Sequence, residues 1–198
     1  MIKIYGPKAS SARRTFWTAE ECGVEYEQVP VNMKEKENRS PEFLKLNPNG
    51  KVPVMSDGDL VLFESMAINT YLGEKYKPEL LGKNVEEHGL VYQWSYWAIA
   101  NLAHAFETLI LPKYGMPMSE ESMTKAREAI DKYMPILDTA LVQKDFLVGD
   151  GFTLADLNVA SVVYSAGFIE FDLARYPEVV RWLAIHTARP AFQKVLAG

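Results

Sequence analysis

Cysteine is almost missing from this chain. A single residue, Cys22, occurs in 198, which excludes an internal disulfide framework and any CxxC redox or zinc pair. Long apolar runs are missing too, and no stretch of about 18 residues reads as a membrane-spanning helix. Positive charge is in deficit: Lys and Arg total 21 against 26 Asp and Glu, for a net charge of -5. A broad basic footprint for nucleic acid is therefore absent. No basic segment, apolar signal core and cleavage site precede Ile2-Lys3-Ile4-Tyr5, so the expected location is the cytoplasm. The histidines number only three, and His104 has no nearby cysteine, histidine or acidic triad that would define a metal site. Internal repeats and low-complexity segments are likewise missing.

What remains is the composition of a globular protein, with 48% hydrophobic and 24% charged residues. The length suits one large domain or two small ones, each with its own core. The residue pattern favours two, over 1–77 and 86–198. In the first, Ile2 and Ile4 alternate with polar neighbours as a strand. Ser11 to Cys22 reads as a helix that Gly23 stops. A strand follows over Tyr26 to Val31, then a short helix over Pro41 to Leu46, with Ser40 as N-cap and proline at the first helical position. Val54 to Ser56 and Leu60 to Phe63 flank a hairpin turn at Asp57-Gly58-Asp59. Ser65 to Tyr76 is a helix. Pro78, Gly82 and Asn84 mark a linker from Tyr76 to Gly89, and beyond it every pattern is helical. The predicted helices there are Leu90 to Leu111, Ser119 to Leu141, Leu154 to Ala166, Pro177 to Ala188 and a short one after Pro190. The expected fold class is α/β plus all-α.

The most informative stretch is Asn47 to Ser65. A proline between Val52 and Val54 removes a ladder donor from an apolar run, so Val52-Pro53 reads as a placed kink. If that bond is cis, the Val52 N–H and C=O are free to face a ligand. Glu64-Ser65 stands where a strand ends and a helix begins, and the unpaired N–H groups there favour a carboxylate. A second turn, Tyr5-Gly6-Pro7-Lys8-Ala9-Ser10-Ser11-Ala12-Arg13-Arg14, puts a hydroxyl among unpaired N–H groups at the first helix. Serine is a preferred helix cap, so capping and donation of a hydrogen bond to a bound thiolate both stand as readings of Ser10 or Ser11. In the second half, Thr153 and Asp156 have the spacing of a capping box. Trp94, Trp97, Asn101 and His104, three and four residues apart, are expected on one helix face, as pocket lining or as packing. Cys22 reads as a small buried apolar residue.

Strand–helix–strand, helix, hairpin and helix, with Ser10 after the first strand, Asn47-Pro48-x-Gly50-x-Val52-Pro53, Glu64-Ser65 and an all-helical second half, resembles the cytosolic glutathione S-transferase superfamily. Ser10 followed by Arg14 is similar to its serine-type branch, theta or phi, of bacterial type. The resemblance implies a thioredoxin-like glutathione-binding domain and a helical domain that supplies the pocket for a small hydrophobic electrophile. It implies glutathione as co-substrate, no metal, a detoxifying transferase and a homodimer burying residues such as Met66, Tyr92 and Tyr96, with no nucleic-acid or membrane partner. Carried over by position, Ser10 or Ser11 would contact the thiol, with Tyr5 as secondary candidate, and Arg14 would add positive potential or order the loop. Val52 beside cis Pro53 would pair its backbone with the cysteinyl part. Glu64 and Ser65 would hold the γ-glutamyl end, and Lys51 the glycyl carboxylate, with Lys34, Lys36 and Arg39 in the loop that often makes the same contact. Competing readings are a glutathione-dependent peroxidase, dehalogenase or isomerase on the same fold, or a non-catalytic binding or assembly module.

Overall fold

A computed structural model describes residues 1–169 and 171–197. It divides into two compact units, one of Met1–Leu81 joined by the chain from Arg189 onward, the other Gly82–Ala188.

In the first unit the order is β1 (Ile2–Tyr5), α1 (Arg13–Glu21), β2 (Tyr26–Val29), α2 (Pro41–Leu46), β3 (Val54–Asp57), β4 (Leu60–Phe63) and α3 (Ser65–Tyr76). Among the described residues the sheet runs β2-β1-β3-β4. β1 and β2 are parallel, with Ile2 opposite Tyr26, while β3 is antiparallel to both β1 and β4. The first helix ends as its sequence demands: Gly23 takes φ 65°, and the Val24 and Gly23 amides return to the Ala19 and Glu20 carbonyls, the glycine-ended stop that satisfies orphan carbonyls. Ser40 caps α2 by accepting the Phe43 N–H at 3.2 Å. Ile4, Phe16, Trp17, Val54, Met55, Ile68 and Leu72 are wholly enclosed and form the core between sheet and helices.

The C-terminal helix α9 (Pro190–Ala197) belongs to this unit, although the residue pattern assigned 86–198 to the helical domain. The reason is a side-chain clasp. The Glu21 carboxylate accepts Arg189 Nε at 2.6 Å and Nη2 at 2.8 Å, as well as Trp17 Nε1 at 3.1 Å. The Phe192 ring lies 4.5 Å from that of Trp17. Burial alone would raise the Glu21 pKa, but Arg189, helped by Trp17 and Lys77, holds it below the ordinary carboxylate value.

The second unit contains α4 (Val85–Ala98), a π-helical turn (Ile99–Ala103), α5 (His104–Ile110), α6 (Glu120–Ala140), α7 (Leu154–Val163) and α8 (Pro177–Thr187). The expected linker is shorter than its composition suggests: Asn84 accepts the Glu87 N–H at 2.9 Å and starts α4 ahead of Leu90. Every residue of α7 is buried, as an apolar-all-round helix requires. Its start carries the expected capping box: Thr153 Oγ1 accepts the Ala155 N–H and Asp156 returns to the Thr153 N–H. Asp156 also accepts the Leu147 N–H at 2.8 Å and Trp182 Nε1 at 3.0 Å, so one carboxylate closes a loop and ties α7 to α8. Burial pushes its pKa up to about 6 against those donors. No helix among the described residues is long and apolar enough to cross a membrane.

Candidate active site

The candidate residues of the first unit lie at the starts of α1 and α3 and on the loop before β3. Gly6 ends β1 at φ 131°, and a Cβ there would lie 3.0 Å from the Val52 Cβ. Only glycine lets the turn after β1 approach Val52 so closely. The Val52-Pro53 peptide is cis. Val52 lies just outside the ladder, which begins at Val54, so its backbone is not consumed by sheet pairing.

The two serines differ in what they touch. Ser10 Oγ donates to the Pro7 carbonyl at 2.7 Å and accepts the Ala12 N–H at 3.1 Å. Ser11, at the exposed edge of the same turn, donates to the Val52 carbonyl at 2.9 Å. Tyr5 packs against the cluster of Val31, Phe43 and Val54.

Glu64 stands at the N-terminal boundary of α3 with φ 68° and no side-chain capping bond, a conformation that non-glycine residues adopt at a cost and that concentrates at functional positions. Ser65 begins the helix and is only 6% exposed, and Arg14 in the first turn of α1 is 7% exposed. They meet: Arg14 Nη1 donates to Ser65 Oγ at 3.2 Å.

Two asparagines shape the loop before Val52, Asn47 within the stretch singled out from the sequence and Asn38 outside it. Asn38 Nδ2 donates to the Gly50 carbonyl at 2.7 Å, and Asn47 Nδ2 donates to the Lys51 carbonyl at 2.7 Å. Asn47 Oδ1 meanwhile accepts the Asn49 N–H at 3.0 Å. Asn-Pro-Asn-Gly carries the signal of such a side-chain-closed turn; nothing in the sequence marks Asn38. Lys51, Lys34, Lys36 and Arg39 are exposed. Of the last three, Arg39 reaches this loop, donating to the Asn49 carbonyl at 3.2 Å beside Gly50. An open cleft of about 550 Å³ adjoins the serine turn, bounded by Pro7, Lys8, Ala9, Gln28 and Val31.

Residues 2–74 match the family description "Glutathione S-transferase, N-terminal domain" and residues 102–190 match "Glutathione S-transferase, C-terminal domain". The chain belongs to the glutathione S-transferase family. Glutathione S-transferase 1 of Zea mays is 37% identical, covering 99% of this chain and 96% of its own length. Among solved structures, glutathione S-transferase-I bound with lactoylglutathione superposes with TM-score 0.87 at 35% identity, covering 99% of this chain and 98% of that one. The theta class glutathione S-transferase of Xanthomonas axonopodis pv. citri, with glutathione bound, gives TM-score 0.89 at 31% identity over 100% and 97%. The thioredoxin-like half and the helical half expected from the residues are those of this family. The bacterial type expected from the sequence is not supported: the curated relatives from Zea mays and Arabidopsis thaliana are plant proteins.

In the helical unit of this glutathione S-transferase family member, Trp94, Trp97 and Asn101 stay in contact as expected of one face, and His104 departs from them into solvent. The π turn at Ile99–Ala103 holds an extra residue and rotates the helix beyond it. Trp94 packs edge-on to Trp97 at 5.2 Å, and Trp97 to Tyr133 at 6.2 Å. Asn101 Nδ2 turns back to the Trp97 carbonyl at 2.9 Å, while the His104 side chain is 86% exposed. Two of the expected interface residues differ as well: Met66 is buried within the chain and Tyr92 is half-buried, whereas Tyr96 is exposed. Cys22 is half-buried, and burial pushes its thiol up to about 11, which leaves it protonated and unreactive.

Proposed function

We infer that the chain is a glutathione transferase of the serine type, theta- or phi-like, that binds glutathione in its first unit and activates the thiol for attack on a small hydrophobic electrophile. The observation that carries this reading is the joining of the α1 start to the backbone before Pro53 by the 2.9 Å bond from Ser11 Oγ to the Val52 carbonyl. The Ser11 hydroxyl thereby meets an off-ladder peptide, with Ser10 next to it in the same turn, within a unit that also presents the start of α3. The names of similar proteins bound with glutathione or lactoylglutathione support the same ligand.

Glutathione brings the thiol; the chain supplies its position and its electrostatics. A thiol with pKa near 8.5 is only about 3% ionised at pH 7, and the thiolate is the nucleophile. Lowering the pKa by two units corresponds to about 2.7 kcal/mol. One charge-assisted hydrogen bond of about 1.5–3 kcal/mol with a helix terminus of about 0.3–1 kcal/mol supplies that. Ser10 is assigned as the donor, because its oxygen already accepts an amide N–H, which polarises its own O–H. Turning that proton from the Pro7 carbonyl to sulfur requires only a rotation of the hydroxyl. Ser11 is assigned to hold the Val52 carbonyl until a ligand amide replaces it. Val52, beside Pro53, pairs with the cysteinyl backbone, and Glu64 and Ser65 take the γ-glutamyl end. Lys51 faces the glycyl carboxylate, with Arg39 bonded to the same loop from across α2. The thiol proton passes to solvent, and the thiolate forms the new carbon–sulfur bond as the leaving group departs.

A dimer is part of the same reading. Leu60, Val61 and Phe63 on the edge strand β4 are exposed, and exposed apolar side chains grouped on one strand call for cover. The test of the activity is turnover of a model aryl halide with glutathione. Measurable conjugation that falls in a Ser10→Ala variant supports the reading, and absence of both conjugation and glutathione binding would turn it to the assembly module.

A further inference from the structure

The residue order sets Arg14 beside the thiol-binding serine, but its guanidinium goes elsewhere. It crosses from α1 to α3 and donates Nη1 to Ser65 Oγ at 3.2 Å, with both residues buried. A serine hydroxyl has one proton to give and two lone pairs to offer, whereas a guanidinium only gives. The contact therefore fixes the polarity of Ser65. One lone pair faces inward to Arg14, and the O–H is released for an acceptor at the start of α3. A ligand carboxylate matches that arrangement best, since it only accepts and its charge strengthens the bond from the released O–H, whereas an amide offers a neutral and weaker acceptor. The guanidinium stays charged at every physiological pH, so the serine it polarises is a stronger donor than an isolated hydroxyl.

The geometry points to Arg14 as a positioning residue that acts through Ser65 to select the glutamyl end of the ligand by its α-carboxylate, rather than as a residue acting on the thiolate. This rests on the glutathione reading above and adds a division of labour to it. The serine turn sets the reactivity of sulfur, and the Arg14–Ser65 pair sets the affinity for the glutamyl carboxylate.

The test compares calorimetric titrations of glutathione and of its analogue in which the glutamyl α-carboxylate is an amide, each with the thiolate absorbance followed against pH. Arg14→Met should weaken glutathione binding roughly tenfold and the amide analogue hardly at all, leaving the bound thiol's pKa in place. Arg14→Lys, which keeps the charge but not the planar fork, should recover part of the preference. Ser65→Ala alone should produce the same loss of preference, and adding Arg14→Met to it should change binding less than about twofold, because the mutations share one path. Should Arg14→Met fail to fold, the Ser65→Ala and Arg14→Lys ratios still decide. Equal weakening toward both ligands would overturn the inference in favour of a structural role. A raised thiol pKa with an unchanged ratio would overturn it in favour of a role at sulfur. Wild-type protein that binds neither ligand would instead remove the glutathione reading itself.

Discussion

Ser10 and Ser11 are adjacent in sequence, yet their protons point at different carbonyls, Pro7 for one and Val52 for the other. That difference makes the thiol assignment testable at single-residue resolution. Ser10→Ala should raise the pKa of bound glutathione by about one to two units toward its free value of roughly 8.5, with the dissociation constant nearly unchanged. Ser11→Ala should leave the pKa in place. The ultraviolet thiolate signal against pH separates the two, and a shift in Ser11→Ala alone would move the role to Ser11. The residues of this site were legible in the sequence to different degrees. A proline inside an apolar run announced the kink at Val52-Pro53, and the acid-hydroxyl pair at a strand end announced the helix start at Glu64-Ser65, both of which the structure keeps. The choice between the serines was not legible, since it depends on the rotation of two hydroxyls within one turn. Asn38 was invisible because its role is set by a carbonyl 12 residues away.

At the scale of elements, the boundaries followed local chemistry wherever a cap or stop was written into the chain. Ser40, Gly23, Ser119 and Thr153 each mark an end that the structure keeps. The continuous helix predicted over Leu90 to Leu111 is instead interrupted by the π turn, because an apolar pattern of period near 3.6 cannot register one inserted residue. The capping box of α7 carries more than a cap. Asp156→Asn would face amide hydrogens with an amide, and should cost about 3 kcal/mol in urea unfolding while the folded fraction binds glutathione as before. A loss below about 1 kcal/mol would show that the Leu147 and Trp182 bonds contribute little. The α9 clasp yields a pH prediction. The folded pKa of Glu21 lies below its ordinary value of 4.5, so its contribution is complete above that value and lost as pH falls through the lower folded value. The stability gap between wild type and Glu21→Gln, about 1–2 kcal/mol at neutral pH, should hold from pH 7 to about 5 and close on further acidification. A gap that widens below pH 5 would contradict the clasp.

At the scale of the whole molecule, two halves with separate cores were legible from the switch between mixed and purely helical patterns, but the return of α9 to the first unit was not. Its signal is a pairing between Arg189 and Glu21, 168 residues apart, which no local pattern encodes. Assembly belongs to this scale as well. The exposed Leu60, Val61 and Phe63 of β4 predict a dimer by sedimentation at micromolar concentration, and Val61→Glu should shift it toward monomer. A wild-type monomer would show that this edge is tolerated bare. The central claim is that the first unit binds glutathione and lowers its thiol pKa. Calorimetric titration of glutathione, followed on the same sample by thiolate absorbance against pH, tests it most directly. Saturable binding with a bound-thiol pKa of about 6 to 7 is the predicted result, and binding with the thiol left near its free pKa, or no binding at all, would contradict it.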